Sequence, residues 1–376
     1  MQPLQGVRVL DFSTLLPGPL CTLMLAEAGA EVIKIERAGG DEMRSYVPKF
    51  GTDSVNFALL NRGKKSVCLD LKSAEDRARV LEWVKDADVL VEQFRPGVMA
   101  RLGLDYETLS QVNPRLIYCS ITAYGQSGPK ALQAAHDLNF QAQVGMLALT
   151  AADDGAPVLP PTLTGDLAGG TYPAVMNILL ALRQRDAGGQ GCHLDISMTD
   201  NLFPLMYWGL GNGWAAGQWP QPGDDLVSGG TARYGIYRTS DGRYLAAAPL
   251  EDKFWTNFVE LIGAPQLRDE PDDAALKQRI ADIIAGQPLS HWLARFDGQD
   301  VCTVEIVSLE QAVQDPHFVG RGVFDYKVKA DDGQVIPALP VPVNKVFRSS
   351  EKAASAPVLG EHTAAPFNPI PGESQS

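Results

Sequence analysis

The chain has 376 residues, 32 Lys+Arg against 45 Asp+Glu for a formal net charge of −13, and 45% hydrophobic with 20% charged residues. This is an ordinary globular composition, long enough for two domains and a large buried core. The acidic balance argues against a nucleic-acid partner, no apolar run reaches the ~18 residues of a membrane helix, and the start MQPLQGVRVLDF lacks the basic and apolar regions of a secretory signal.

From the N-terminus, Gly6–Phe12 (GVRVLDF) is a β-branched run that predicts a strand. Pro17–Ala28 carries Leu20, Leu23, Met24 and Ala28 at helical spacing, and Gly29 stops it. Glu31–Glu36 (EVIKIE), Ser66–Leu71, Asp88–Glu92 and Leu116–Thr122 predict further strands, with helical segments at Ala74–Lys85 and around Thr108–Val112. Strands separated by helices of this size imply right-handed βαβ units and a parallel sheet covered on both faces, the architecture of a nucleotide-binding domain. The turn after the first strand, Ser13-Thr14-Leu15-Leu16-Pro17-Gly18-Pro19, holds one glycine and no GxGxxG, which disfavours NAD and FAD. What survives is the general rule that ligands dock at the carboxyl ends of the strands.

Beyond Tyr124, Gly125–Pro129 and Asp153–Thr164 read as loops around a helical segment, Leu138–Leu149. A long helix is predicted from Leu167 to Arg185, ended by Gly188-Gly189. Tyr207–Gly230 reads as an irregular connector, and Tyr234–Ala247 as a hairpin around Ser240-Asp241-Gly242. The division expected is a large domain of residues 1–200 and 325–376, a connector 201–230 and a small α+β domain 231–324. The Ala-, Pro-, Ser- and Gly-rich tail from Ala353 is expected to be extended. The five cysteines are widely spaced, without CxxC or a zinc-ligand pattern, so no metal is expected and the thiols point to a reducing, cytoplasmic setting.

Asp166 leads the candidate functional residues. It stands in Thr164-Gly165-Asp166-Leu167-Ala168-Gly169-Gly170, where the plain reading is a helix N-cap. The flanking glycines suggest a second reading, in which small residues leave room for a ligand to approach the carboxylate and the first amides of the helix hold an oxyanion. His136, paired with Asp137 before an apolar helix, is next; His193 and His317 are no better marked. Arg37 ends the second strand, where an arginine favours a ribose phosphate. Asn61–Lys65 (NRGKK) and Phe94–Arg101 (FRPGVMAR) suggest local positive spots on an acidic protein.

Several segments, in order, resemble the superfamily of class III CoA-transferases and α-methylacyl-CoA racemases. They are GVRVLDFSTLLPGPLCTLMLAEAGAEVIKIER, FALLNRGKKSVCLDLK, VEQFRPGVMARLGL, AYGQSGP, AAHDLNF, LTGDLAGGTYPAV, YGIYRTSDGRYLAAAPLEDKFW and DPHFVGRGVF, running from residue 6 to 324. The resemblance implies a Rossmann-like large domain with a smaller α+β domain, an interlocked homodimer, and an acyl-CoA substrate with no tightly bound cofactor. It places Arg37, Lys72, Arg95 and Arg101 in segments that hold CoA. Asp166 matches the aspartate that is the acyl-accepting nucleophile in the transferases and an acid/base in the racemases. The His136-Asp137 pair, and Glu251 after the hairpin, resemble the racemase branch; Asn139-Phe140-Gln141 departs from it, which bears on the acyl pocket.

Racemisation next to a thioester needs two acid/base groups, with pKa values within reach of neutrality. An imidazole starts there, while an aspartate needs desolvation to reach it. Glu251 would orient His136 as the third member of a triad does. The rival is CoA transfer, in which Asp166 attacks the thioester carbonyl to form a mixed anhydride. A third reading is a CoA-binding protein that has lost catalysis.

Overall fold

The structure, a computed structural model, describes residues 2–152, 154–364 and 366–367. The chain divides into two compact units. The first comprises the chain up to Val144, Thr162–Pro204 and the chain from His317 on; the second comprises Gly145–Pro161 and Leu205–Pro316.

The first unit is built on β1 (Arg8–Asp11), β2 (Glu31–Glu36), β3 (Lys65–Cys68), β4 (Val89–Glu92), β5 (Ile117–Thr122) and β6 (Cys192–Ser197). They form one sheet in the order β3-β2-β1-β4-β5-β6, every neighbouring pair parallel. β1, β2, β4 and β5 are buried along nearly their whole length because helices cover both faces. Helices of this unit include α1 (Pro17–Glu27), α2 (Val55–Asn61), α3 (Ala74–Val84), α4 (Val98–Leu102), α5 (Tyr106–Val112), α6 (Asp137–Gln143) and α7 (Tyr172–Asp186). Val80 and Val84 of α3 and Leu109 of α5 pack on Leu10, Ile33, Leu90 and Tyr118. α1 and α7 lie together on the sheet. The strand order reverses between β1 and β4, and such a reversal opens a crevice at the carboxyl ends of the strands.

Local sequence explains the helices that shape the crevice. Pro17 sits in the first turn of α1, where a missing N–H costs nothing, and Gly29 follows its end at φ +105°. Ser73 caps α3, with Glu75 and Asp76 in its first turn, where acidic side chains favour the helix dipole. On α7, Ala174, Ile178, Ala181, Leu182 and Arg185 form the buried stripe. Here the structure corrects the predicted helix Leu167–Arg185: its first turns, Gly165–Thr171, are a π-helix that runs into α7. Wide turns of this kind recur at functional sites.

The chain from His317 adds a small sheet of Lys327–Lys329, Val335–Pro337 and Ala353–Ser355, so the tail begins as a strand rather than as bare extended chain. It then reaches β3, the end strand of the main sheet. There Ser66 N–H donates to His362 Nδ1 (3.4 Å), His362 N–H to Ser66 O (2.9 Å) and Cys68 N–H to Thr363 Oγ1 (3.0 Å). The final residues, 368–376, lie outside the described ones.

The second unit carries β7 (Gly235–Arg238), β8 (Tyr244–Ala247) and β9 (Thr303–Glu305) in an antiparallel sheet ordered β9-β8-β7. The hairpin predicted at Tyr234–Ala247 forms, with Gly242 at φ +77° in its turn. Trp255, Phe258, Ile280, Trp292 and Phe296 make its core with α9 (Asp252–Leu261), α10 (Asp273–Ala285) and α11 (Leu289–Phe296). The stretch Tyr207–Gly230, expected to be irregular, begins instead with a helix, α8 (Tyr207–Ala216), because its glycines are spaced among helix-compatible Tyr, Trp, Leu and Ala.

Candidate active site

A cavity of about 520 Å³ opens at the carboxyl ends of β1, β4 and β5. Thr14, Leu15 and Pro17 from the turn after β1 line it, with Gln93, Phe94, Arg95 and Pro96 after β4, Ile121–Ala123 at the end of β5, and His136, Asn139, Phe140, Asp166 and Met198. His136 and Asp166, chosen separately from the sequence, therefore face one cavity.

A buried ionic network fixes the turn after β1. Asp11 accepts hydrogen bonds from Ser13 N–H (2.9 Å), Thr22 Oγ1 (2.6 Å) and Lys64 Nζ (3.1 Å). Lys34 Nζ donates to Ser13 O at 2.7 Å and pairs with Asp41 at 3.0 Å. Burial alone would raise the Asp11 carboxyl, but Lys64 and Lys34 hold it down at about 2. Burial lowers Lys64 to about 8, against the pull of Asp11. The expectation that NRGKK is a positive surface spot fails: Lys64 is enclosed in this network, and Arg62 is buried against Glu27 at 2.8 Å. In the cramped turn between this network and α1, Leu15 stands at φ +61°, a region that residues with side chains seldom adopt.

Asp166 is the second residue of the π-helical turn, not its N-cap, which is Thr164. Its backbone N–H donates to Asp137 Oδ1 at 2.9 Å, and Asp137 Oδ2 accepts from Gln141 Nε2 at 2.6 Å. Burial first, and the Asp137 charge second, push the Asp166 carboxyl up to about 7. His136 precedes α6, and its backbone N–H donates to Asn139 Oδ1 at 3.0 Å.

Two expectations about this turn are corrected. The glycines do not clear space for a ligand. A Cβ on Gly169 would stand 2.2 Å from Met198 O, one on Gly165 would be 2.9 Å from Phe140 Cδ2, and one on Gly170 would meet Met198 and Pro17 at 3.1 Å. They are glycines because the turn packs directly on its neighbours, pinned by Asn201 Nδ2 to Gly169 O (2.9 Å) and Thr171 Oγ1 to Pro17 O (2.9 Å). Nor are the first amides free for an oxyanion: Asp166 N–H is bonded to Asp137 and Leu167 N–H to Leu163 O at 3.0 Å.

A second cavity, about 460 Å³, lies at the carboxyl ends of β1, β2 and β3. Arg37 and Lys72 line it with Glu36, Asp70, Val98 and Leu102, and it shares Thr14 and Phe94 with the first cavity. Arg95 belongs to the first cavity; Arg101, on α4, lines neither. The amides at the start of α1 are not offered to a phosphate as in dinucleotide-binding folds. Residues 17 and 19 are prolines, Gly18 N–H donates to Gln93 Oε1 at 2.9 Å, and Leu20 N–H to Leu16 O at 3.0 Å. Glu251 belongs to the second unit, exposed immediately before α9.

Sequence reasoning missed one cluster. A cavity of about 260 Å³ is lined by Glu92, Ser120, His193 and Tyr106, and shares Arg95 and Pro96 with the first. Ser120 Oγ and His193 Nε2 are 2.9 Å apart, and the imidazole stacks on Tyr106. Burial raises the Glu92 carboxyl to about 7, against hydrogen bonds from Ser120 and Phe94 N–H. His193 pairs with Tyr118 across β5 and β6, and Ser120 lies two residues on from Tyr118 on the same face of β5, so period-two spacing was the available signal. Among the described residues, no group of three or more His, Cys, Asp or Glu is placed to hold a metal ion.

The crevice site, with a desolvated aspartate at its wall and a second cavity beside it that holds Arg37 and Lys72, defines an α/β fold with its ligand site at the carboxyl ends of the strands. Residues 4–363 match CoA-transferase family III, and the chain belongs to that family. It is 34% identical to the alpha-methylacyl-CoA racemase of Mus musculus, over 96% of this chain and 91% of that one. It is equally, 34%, identical to the acetyl-CoA:oxalate CoA-transferase of Acetobacter aceti, over 96% and 94%. A crystal structure of a CAIB/BAIF family protein from Brucella suis superposes with a TM-score of 0.82 at 30% identity, covering 97% of this chain and 98% of that one. Racemases and CoA-transferases thus stand side by side among the relatives.

Proposed function

We propose that the chain is a 2-methylacyl-CoA racemase or epimerase, with Asp166 and His136 as its acid/base pair. The observation that carries this is the Asp166 carboxyl at about 7 in the cavity that His136 also lines. Proton exchange at an α-carbon is fastest when the exchanging groups titrate near the working pH. A nucleophile forming an acyl anhydride would gain nothing from a carboxyl half-protonated at neutrality.

In this reading one group removes the α-proton, leaving an enolate whose charge rests largely on the thioester oxygen. The other returns a proton to the carbon. Arg37 and Lys72 hold the nucleotide end of CoA, Arg101 contributes charge from α4, and Arg95 holds the CoA chain at the mouth of the reaction cavity. The dimer is supported by an apolar stripe on α7, where Tyr172, Met176 and Leu180 are 45%, 57% and 61% exposed at successive turns. No helix among the described residues is long and apolar enough to cross a membrane, and five free thiols suit a cytoplasmic setting.

The alternative is CoA transfer through an anhydride at Asp166, supported by the transferases among the relatives. Incubation in heavy water separates them. α-Deuteration of a 2-methylacyl-CoA with no acceptor acid present is the result expected of the racemase. Movement of CoA to a carboxylic acid, with hydroxylamine trapping an acyl-enzyme, would instead establish the transferase.

A further inference from the structure

We propose that the side-chain amide of Gln93 donates the hydrogen bond that holds the thioester oxygen of the bound acyl-CoA, an assignment that rests on the acyl-CoA reading above. Both chemistries place negative charge on that oxygen, as an enolate or as a tetrahedral intermediate, and a fixed donor there stabilises the transition state. Of the amides at the turn that the sequence suggested for this task, those of Asp166 and Leu167 are already bonded within the protein.

Gln93 follows β4 at the point where the strand order reverses, and it lines the cavity of Asp166 and His136. Its orientation is set by one contact: Gly18 N–H donates to Oε1 at 2.9 Å. A main-chain N–H can only donate, so the oxygen must face Gly18 and the NH₂ must face away from it. That NH₂ has no acceptor among the described residues. The flanking Pro17 and Pro19 have no N–H, which leaves Gly18 as the donor at that point of α1. A Cβ at residue 18 would stand 2.4 Å from Oε1, so the contact requires glycine there.

The other candidates in the cavity are less well placed. The Thr122 hydroxyl is inaccessible and unpartnered, whereas Thr14, Gln133, Asn139 and Arg95 are exposed and can bond to water. Phe94, the next residue, and Thr14 line both large cavities. Gln93 therefore stands just past the junction that the CoA arm must cross to bring its thioester to Asp166.

Gln93→Glu tests this, because it keeps an oxygen for Gly18 N–H and replaces the NH₂ with a second oxygen. At pH 8, kcat should fall about 100-fold or more, while CoA binding and the melting temperature stay near wild type. With a substrate labelled ¹³C at the thioester carbonyl, the infrared band should shift to lower wavenumber on binding wild type and not on binding Gln93→Glu. If Gln93 only caps α1, Gln93→Glu will retain both the wild-type kcat and the band shift, and the assignment is overturned. Gln93→Met, which loses cap and donor together, should show the same kcat loss with a lowered melting temperature; wild-type turnover in that variant would equally overturn it. Failure of wild type to bind any acyl-CoA would instead sink the acyl-CoA reading itself.

Discussion

The backbone N–H of Asp166 donates to Oδ1 of Asp137 at 2.9 Å, so the residue beside His136 holds the turn that carries the candidate acid/base in place. Asp137 also raises the Asp166 carboxyl by its charge, second to burial. Asp137→Asn keeps an oxygen for the N–H and removes the charge. The Asp166 limb of the kcat/KM pH profile should then move to lower pH, by less than the whole displacement because burial remains. A limb that stays where it is in wild type would count against this coupling.

Asp166→Asn should abolish turnover and also stabilise the protein at alkaline pH. A carboxyl raised from 3.8 to about 7 by folding contributes stability that is complete below its unfolded pKa and lost as pH rises through 7. Wild type is therefore penalised above pH 7 relative to the asparagine variant, by an amount on the order of 2 kcal/mol after allowance for partial exposure. Thermal melts at pH 8 should favour Asp166→Asn, and the gap should close by about pH 4.

His136→Ala should reduce α-proton exchange by about 10²- to 10⁴-fold, the usual contribution of a positioned acid/base group. CoA binding should be unaffected, since the imidazole lines only the reaction cavity. Isothermal titration with CoA alongside the exchange assay checks both halves.

Arg37→Ala and Lys72→Ala should raise KM for acyl-CoA with little change in kcat, because their cavity is separate from that of Asp166. The loss should shrink as salt is added, as expected of screened contacts to a phosphate. A fall in kcat with KM unchanged would place these residues in the chemistry instead.

Gly169→Ala should be severe, since its methyl would stand 2.2 Å from a carbonyl oxygen that cannot retreat without moving the end of β6. Overpacking of this kind costs about 1–3 kcal/mol or more. Chemical denaturation, compared with Gly39→Ala, which has open space, measures it.

The sheet was legible in the sequence because its strands are short apolar runs between amphipathic helices, and EVIKIE forms β2 residue for residue. The helix before Arg185 was legible in its apolar spacing, but the π-helical opening was not, since a single widened turn leaves that spacing intact. Asp166 and His136 could be picked out by their neighbours. The meaning of the glycines around Asp166 could not, because the atoms they make room for, Met198 and Phe140, come from distant segments. NRGKK misled for the same reason: a lysine looks solvated until the fold supplies Asp11 and closes over both.

The tail that reaches β3 also has a consequence in time. Ser66 and Cys68 find their partners only at His362 and Thr363, nearly 300 residues later in synthesis. Until the ribosome has released almost the whole polypeptide, the outer margin of the sheet stands open, able to recruit another chain's backbone. A premature stop a dozen residues before the end of the described chain would therefore cost the cell more through clumping of the product than through any missing chemistry.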